Sequence, residues 1–327
     1  MVDVSSLSRI NHLTLRNCQN IIDISSLGHV QYLTLNHCRS IYDISGLTHN
    51  HSLTIFSCPN IDCHTIQFHH TNILQYLSTD LLFSSTELLT TTSLKTLTLN
   101  SISCLNHIFY VPSSVRIVDI AIINALNLAS FQYCHKVIIR NCYTILDLSP
   151  LYSIPFVEFH SLSQQQVNCH GLGGNRKVSL INCIGIRDYS ALKTILRLYF
   201  HSMYGMSRSE MIRDCFAHCK ELVFIDCDLK SVEFLGQVKD LTIISCPIES
   251  TADGIGTPMN TKITFDKQFL ATRKESIATS LLSWLSPTTS SSSSSFSSFW
   301  KEHYTKEIVY EDNDRVTFLR RKNNYSH

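Results

Sequence analysis

Three consecutive stretches, DVSSLSRINHLTLRNCQNII, DISSLGHVQYLTLNHCRSIY and DISGLTHNHSLTIFSCPNI, carry the same landmarks in the same phase. Asp3, Asp23 and Asp43 are 20 residues apart, and so are Cys18, Cys38 and Cys58. A fixed period of this length makes each unit one supersecondary element that cannot bury its apolar side chains alone. The units must stack and share a continuous core.

The unit reads L-x-L-x-x-C-x-x-I-x-D-I-S-x-L, and its apolar-x-apolar strand core continues along the chain. After Leu13-Thr14-Leu15, Leu33-Thr34-Leu35 and Leu53-Thr54-Ile55 come Leu74-Gln75-Tyr76, Leu97-Thr98-Leu99, Val115-Arg116-Ile117, Val137-Ile138-Ile139 and Val157-Glu158-Phe159. Val178-Ser179-Leu180, Leu198-Tyr199-Phe200, Leu222-Val223-Phe224, Leu241-Thr242-Ile243 and Ile263-Thr264-Phe265 complete the series, a mean period of about 21 residues. Cys18, Cys38, Cys58, Cys142, Cys183, Cys227 and Cys246 all stand three residues after the second apolar strand position. The Asp-containing piece returns at Asp147 and Asp188, again five residues after a cysteine.

These landmarks resemble the leucine-rich-repeat family over residues 3 to about 250. The cysteine is similar to the cysteine-containing subclass common in F-box proteins. The D-I-S-x-L piece resembles internalin and SDS-type repeats, and Val111-Pro112-Ser113-Ser114-Val115 resembles the FNIP variant of amoebae and large viruses. The resemblance implies a mainly β, α/β-class solenoid: a horseshoe with about 12–13 short parallel strands on its concave face and turns and 3₁₀ segments on its convex face. Thirteen strands at about 4.8 Å spacing would make a sheet on the order of 60 Å long. It also implies a non-enzymatic scaffold that binds a polypeptide on the concave sheet. A substrate-recognition subunit of a ubiquitin ligase is the narrower version of that expectation.

Alternation in a strand sends Leu33 and Leu35 inward and Tyr32, Thr34 and Asn36 outward. The cysteine falls where the chain leaves the strand, so a column of thiols should run through the interior and donate to backbone carbonyls. Asp23 and Asp43 should cap the tight turn that follows. The outward set, taken as the partner-binding face, comprises His12, Arg16, Tyr32, Asn36, Phe56, Arg140, Phe156, His160, Arg197, Tyr199 and His201. Aromatic and Arg side chains in rows are what binding hot spots favour. Ile138, Ile181, Ile225 and Ile244 also fall at outward positions, where full exposure would be costly.

The domain expectation is a repeat solenoid over residues 1–268, an amphipathic helical cap over 269–286, a Ser-rich linker over 287–299 and a tail over 300–327 with a β-hairpin around Asp312-Asn313-Asp314. No polar cap precedes the first repeat, so either a partner covers that edge or upstream sequence is missing, and a monomer or a chain capped there by a partner is expected. A formal charge of +1 gives no electrostatic case for nucleic acid, and no apolar run has membrane-spanning length. Thirteen cysteines and no basic–apolar leader point to a reducing cytoplasm.

Two Cys/His clusters invite a zinc or Cys–His enzyme alternative: Cys58, Cys63, His64, His69 and His70, and Cys215, His218 and Cys219. Neither has the paired CxxC spacing of a zinc site, and Cys58 is already a repeat position. No catalytic residue, metal site or cofactor is expected. Gly171-Leu172-Gly173-Gly174 lacks phosphate-loop spacing and reads as a turn.

Overall fold

In a computed structural model, eight of the repeats turn out of their strands through one residue held in the left-handed region. Asn17, His37, Ser57, Asn141, Ser161, Asn182, Ser202 and Asp226 all have φ between 48° and 56°. Short polar side chains tolerate this region best, and those are the residues found. The corner aims its N–H at the next repeat: Asn17 donates to Asn36 O at 2.8 Å, and His37 to Phe56 O at 2.9 Å.

The structure describes residues 2–61, 70–77, 93–102, 111–122, 128–141, 147–162, 167–183, 186–203, 216, 219–231, 238, 240–244, 246, 248–250, 262–266, 304–312 and 315–322. The expected helical cap over 269–286 and the Ser-rich linker lie outside the described residues. The chain divides into two units, Met1–Gln164 and Gln165–His327.

Unit 1 contains β1 (His12–Arg16), β2 (Tyr32–Asn36), β3 (Ser52–Phe56), β4 (Ile73–Leu77), β5 (Thr96–Ile102), β6 (Ile117–Ile122), β7 (Lys136–Arg140) and β8 (Phe156–His160). They pair in sequence order, all parallel. The register follows the repeat, with Leu33 opposite Leu13 and Leu53. In one repeat the expected phase slips by three residues. Val118 and Ile120, not Val115 and Ile117, stand opposite Leu97 and Leu99. Val115 is fully buried but lies before the strand, where its N–H closes a turn on Pro112 O at 3.0 Å, as Val30 does on Leu27 O.

Inward positions explain the 20-residue period. From Cys38 the chain buries every third residue on its return, Ile41, Ile44 and Leu47, then Asn50, and finally alternate residues Leu53 and Ile55 in the strand. A turn of three residues suits a 3₁₀-like return, and period two suits the strand. The return opens on a carboxylate: Asp3, Asp23, Asp43 and Asp147 accept from the N–H of Ser5, Ser25, Ser45 and Ser149 at 2.8–2.9 Å. Short 3₁₀ segments follow at Ser5–Leu7, Ser25–His29 and Ser149–Leu151. Buried Asn50 donates to Leu27 O at 3.1 Å and Val30 O at 2.6 Å, covering carbonyls the irregular return leaves open.

The cysteines form a sulfur ladder in both units. The Cys38 N–H points at Cys58 Sγ (3.3 Å), and the Cys38 thiol points at Leu15 O (3.4 Å). In unit 2 the Cys227 N–H meets Cys246 Sγ at 3.3 Å. Where the next repeat lacks cysteine, methionine serves: the Cys183 N–H lies 3.3 Å from Met203 Sδ. Sulfur is a weak acceptor that fits a tight apolar interior. Burial pushes the Cys58 thiol up to about 11. Cys18, half-exposed at the first repeat, is the accessible member of its column. In the native protein Cys18 should therefore react with iodoacetamide at least about a hundredfold faster than Cys38 or Cys58. Peptide mass spectrometry over a labelling time course measures this directly.

Unit 2 contains β9 (Val167–Asn168), β10 (Lys177–Ile181), β11 (Ile186–Asp188), β12 (Arg197–His201), β13 (Glu221–Ile225), β14 (Leu229–Ser231), β15 (Asp240–Ile244), β16 (Ile248–Ser250), β17 (Lys262–Asp266), β18 (Tyr304–Asp312) and β19 (Arg315–Lys322). β10, β12, β13, β15 and β17 form a parallel sheet in that order. β19 adds antiparallel to β17, and β18 pairs antiparallel with β19. The return side of unit 2 is not only turns: β9 pairs with β11 and β14 with β16, each parallel. Its core is more aromatic, with Phe200, Phe216 and Phe224 fully buried around Tyr189.

Candidate binding face

Each sheet has one face against its core and one open face. In unit 1 the open face carries the first and third residues of the strands, and the fifth in β1, β2, β3, β7 and β8, in columns fixed by the register. The third position runs Thr14, Thr34, Thr54, Gln75 and Thr98, then changes to Asp119, Ile138 and Glu158. The early repeats are thus a flat threonine strip, a β-branched residue well suited to pleated surface. Aromatic rings flank this strip. His12 stacks on Tyr32 at 4.3 Å with their planes 1° apart, and His37 meets Phe56 edge-on at 5.4 Å. Tyr32 and Phe56 each remain 38% exposed, so rings already ordered by neighbours are still open to a ligand.

Over β6–β8 the face becomes a charged network. Arg140 grips Asp119 with two bonds, Nε to Oδ1 at 2.7 Å and Nη2 to Oδ2 at 3.0 Å. Its Nη1 lies 3.4 Å from His160 Nδ1. His160 Nε2 in turn lies 2.5 Å from Glu158 Oε1, and Lys136 Nζ is 3.8 Å from Glu158 Oε2. Charge-assisted, two-pronged Arg–carboxylate pairs hold geometry as well as charge. Ile138 lies between Asp119 and Glu158 in register and is only 8% exposed, so that outward isoleucine is not a sticky patch.

The His160 bond, with Lys136 and Arg140 near by, holds the Glu158 carboxyl below the usual carboxylate range against the opposing cost of burial. A depressed carboxyl contributes stability that is full above its unfolded value, about 4.3, and is lost as pH falls through the folded value. The structure therefore predicts that Glu158→Gln lowers stability at pH 7 and flattens the loss of stability below about pH 4.5. Urea unfolding from neutral to acid pH checks both parts. The open acids Asp3, Asp23, Asp43 and Asp147, held below their ordinary values by Ser N–H bonds, add to the same acid-side loss.

In unit 2 the open face places Lys177, Arg197 and Glu221 in one column and Ser179, Tyr199 and Val223 in the next. The Tyr199 hydroxyl donates to Glu221 Oε1, Arg197 Nε is 3.3 Å from Glu221 Oε2, and Lys177 Nζ sits 3.9 Å above the Tyr199 ring. Burial, then the Glu221 bond, pushes the Tyr199 phenol up to about 12. His201 Nε2 is 3.3 Å from Asp226 Oδ2. Ile181, Ile225 and Ile244 are half-buried on the same face.

All eleven residues read from the sequence as outward lie on open faces. His12, Arg16, Tyr32, Phe56 and Arg197 are exposed, and Asn36, Arg140, Phe156, His160, Tyr199 and His201 are half-buried. The structure groups Arg140 with His160, and Arg197 with Tyr199 through Glu221. Asp119 and Glu221 were not among them, though both are central to their networks. Of the two Cys/His clusters, only Cys58, His70 and Cys219 are described, and both of these cysteines are buried in repeat positions. Among the described residues no group of three or more His, Cys, Asp or Glu converges as a metal site.

No family model matches the chain, and no curated protein matches it. Solved structures do. The functional domain of InlJ from Listeria monocytogenes, described as including a cysteine ladder, is 11% identical, with 99% of this chain and 78% of that one covered at a TM-score of 0.46. A leucine-rich-repeat protein of Leptospira interrogans is 12% identical, with 75% of this chain and 81% of that one covered at a TM-score of 0.35. The repeat spacing, the parallel strands in repeat register and the inward columns of leucine and sulfur make each unit a stack of repeats with one parallel strand per repeat, the fold that the resemblance to leucine-rich repeats implies.

Proposed function

We propose that the chain is a non-enzymatic scaffold that holds a polypeptide partner along the open strand faces of its repeats. The observation that carries this reading is the pair of pre-ordered aromatic sites at the start of unit 1. Tyr32 and Phe56 are each steadied by a histidine and each still exposed. A ring whose rotamer is fixed before binding loses less entropy on contact, which favours it as an anchor. The polar networks of Arg140 and Tyr199 supply ordered donors around such anchors. A cytoplasmic setting fits the nine described cysteines, all free thiols.

Affinity capture with the full chain tests the reading, repeated with Tyr32, Phe56, Phe156 and Tyr199 changed to alanine. All four lie at the sheet surface, so the fold should survive, and circular dichroism verifies that. Captured polypeptides should be lost from the variant. Retention of every one of them would refute the reading.

A further inference from the structure

We propose that the rim of unit 1 where its strands begin, beside the open face, selects an acidic polypeptide segment; this deepens the scaffold reading and rests on it. Residues 1–164 hold seven Lys and Arg against nine Asp and Glu, so the unit as a whole is not basic. Its charges are sorted by side. Asp3, Asp23, Asp43 and Asp147 sit on the outer turns, each tied to a serine N–H. Asp62, Asp80 and Glu87 lie outside the described residues. The two remaining carboxylates, Asp119 and Glu158, are on the strand side and already paired, with Arg140 and with His160 and Lys136.

Three strand-side cations have no carboxylate partner among the described residues: Arg16, Lys95 and Arg116. Arg16 ends β1 on the open face and is exposed. Lys95 and Arg116 hold the same position in successive repeats, one residue before the strand at the rim of the sheet, and both are exposed. Arg116 N donates to Lys95 O at 2.8 Å, which stacks the two residues directly. His135 follows in the same column, its N–H on Arg116 O at 2.7 Å. Among the described residues, the Arg116 guanidinium makes one bond, from Nη1 to Tyr133 O on the return segment at 3.2 Å.

Stacked repeats place such like charges at about strand spacing, 4.8 Å, where they repel in the free protein. A chain carrying carboxylates removes that repulsion and gains attraction to both. A chain carrying lysines meets only further repulsion. The partner implied is therefore a peptide whose glutamates or aspartates run across the Lys95–Arg116 column, with an apolar or aromatic side chain reaching Tyr32 or Phe56. Complementarity of this kind governs partner choice and encounter rate, and it weakens with salt.

The probes are fluorescein-labelled peptides of about 12 residues, alternating serine with glutamate, glutamine or lysine, titrated into the full chain and read by anisotropy. At about 50 mM salt the glutamate peptide should bind at least about tenfold tighter than the lysine peptide, and the gap should shrink at about 300 mM. Lys95→Glu with Arg116→Glu should remove the preference, and the milder Lys95→Gln with Arg116→Gln should reduce it. Equal binding of the three peptides, no binding of the glutamate peptide, or indifference to the charge reversal would overturn the proposal. The capture assay separates the two readings. Prey lost on the aromatic substitutions but kept on charge reversal sinks the acidic segment and leaves the scaffold. Prey kept in both variants sinks both.

Discussion

Phe200→Ala should destabilise unit 2 by about 3–5 kcal/mol, the range for emptying a buried phenylalanine site. Its ring is 1% exposed and stacks on Phe224 at 5.3 Å, with Phe216 at 5.7 Å and Tyr189 at 6.3 Å. The neighbours come from different repeats and cannot all close on the gap. Aromatic pairs of this geometry add about 0.5–1.5 kcal/mol beyond area burial, so the upper part of the range is expected. Repeat stability is close to a sum over units and their interfaces, so the loss should fall on the repeats around β12 and β13. Urea unfolding with hydrogen exchange on those strands measures it. Phe200→Leu keeps most of the volume and should cost less than about 1.5 kcal/mol. A cost below about 1 kcal/mol for alanine would mean that this residue is not in a packed core.

The second large effect is opposite in sign to the usual rule for glycine. Gly→Ala at a compatible site stabilises by about 0.4–1 kcal/mol through the unfolded chain. At Gly28 it should destabilise by about 2 kcal/mol or more. A Cβ there would stand 2.2 Å from the Gly46 carbonyl oxygen, a backbone atom of the next repeat. Gly46 is locked reciprocally, since its own Cβ would meet Ser25 Cα at 2.7 Å. The two glycines interdigitate adjacent return segments, so relief requires moving one repeat against another. Thermal unfolding of Gly28→Ala and Gly46→Ala gives the sign at once.

That close approach marks where the sequence stops being legible. Ser and Gly at positions 45 and 46 read as a tight turn, which they form, but nothing in the pattern pairs Gly28 with Gly46. The positions one period away from Gly28 hold Ser8 and Thr48, so the contact belongs to one pair of repeats and no periodicity announces it. The inward leucines and cysteines were legible because three signals share one phase. Where only the apolar-x-apolar signal remained, Val115-Arg116-Ile117 and Val118-Asp119-Ile120 satisfied it equally. The first phase leaves Asp119, the partner of Arg140, outside the strand core. The every-third-residue burial of the return would have decided between them, because Val115 then falls in the column of Val30 and Ile154. Met203 carries no cysteine signal, because its side chain is unlike cysteine. Its position is nevertheless 20 residues after Cys183, and its sulfur takes the same place in the ladder. The left-handed corners were written as Asn, Ser, His or Asp directly before the ladder residue, a signal as regular as the cysteine itself.

Photocrosslinking from defined positions tests the central claim most directly. A benzoyl-phenylalanine placed at Thr34 or Thr98, on the open face of unit 1, should yield adducts with a captured polypeptide. The same group at Ser25, on the outer turn, should yield none. Adducts from Ser25 with none from Thr34 or Thr98 would mean that the partner lies on the return side, and the binding face assigned here would be wrong.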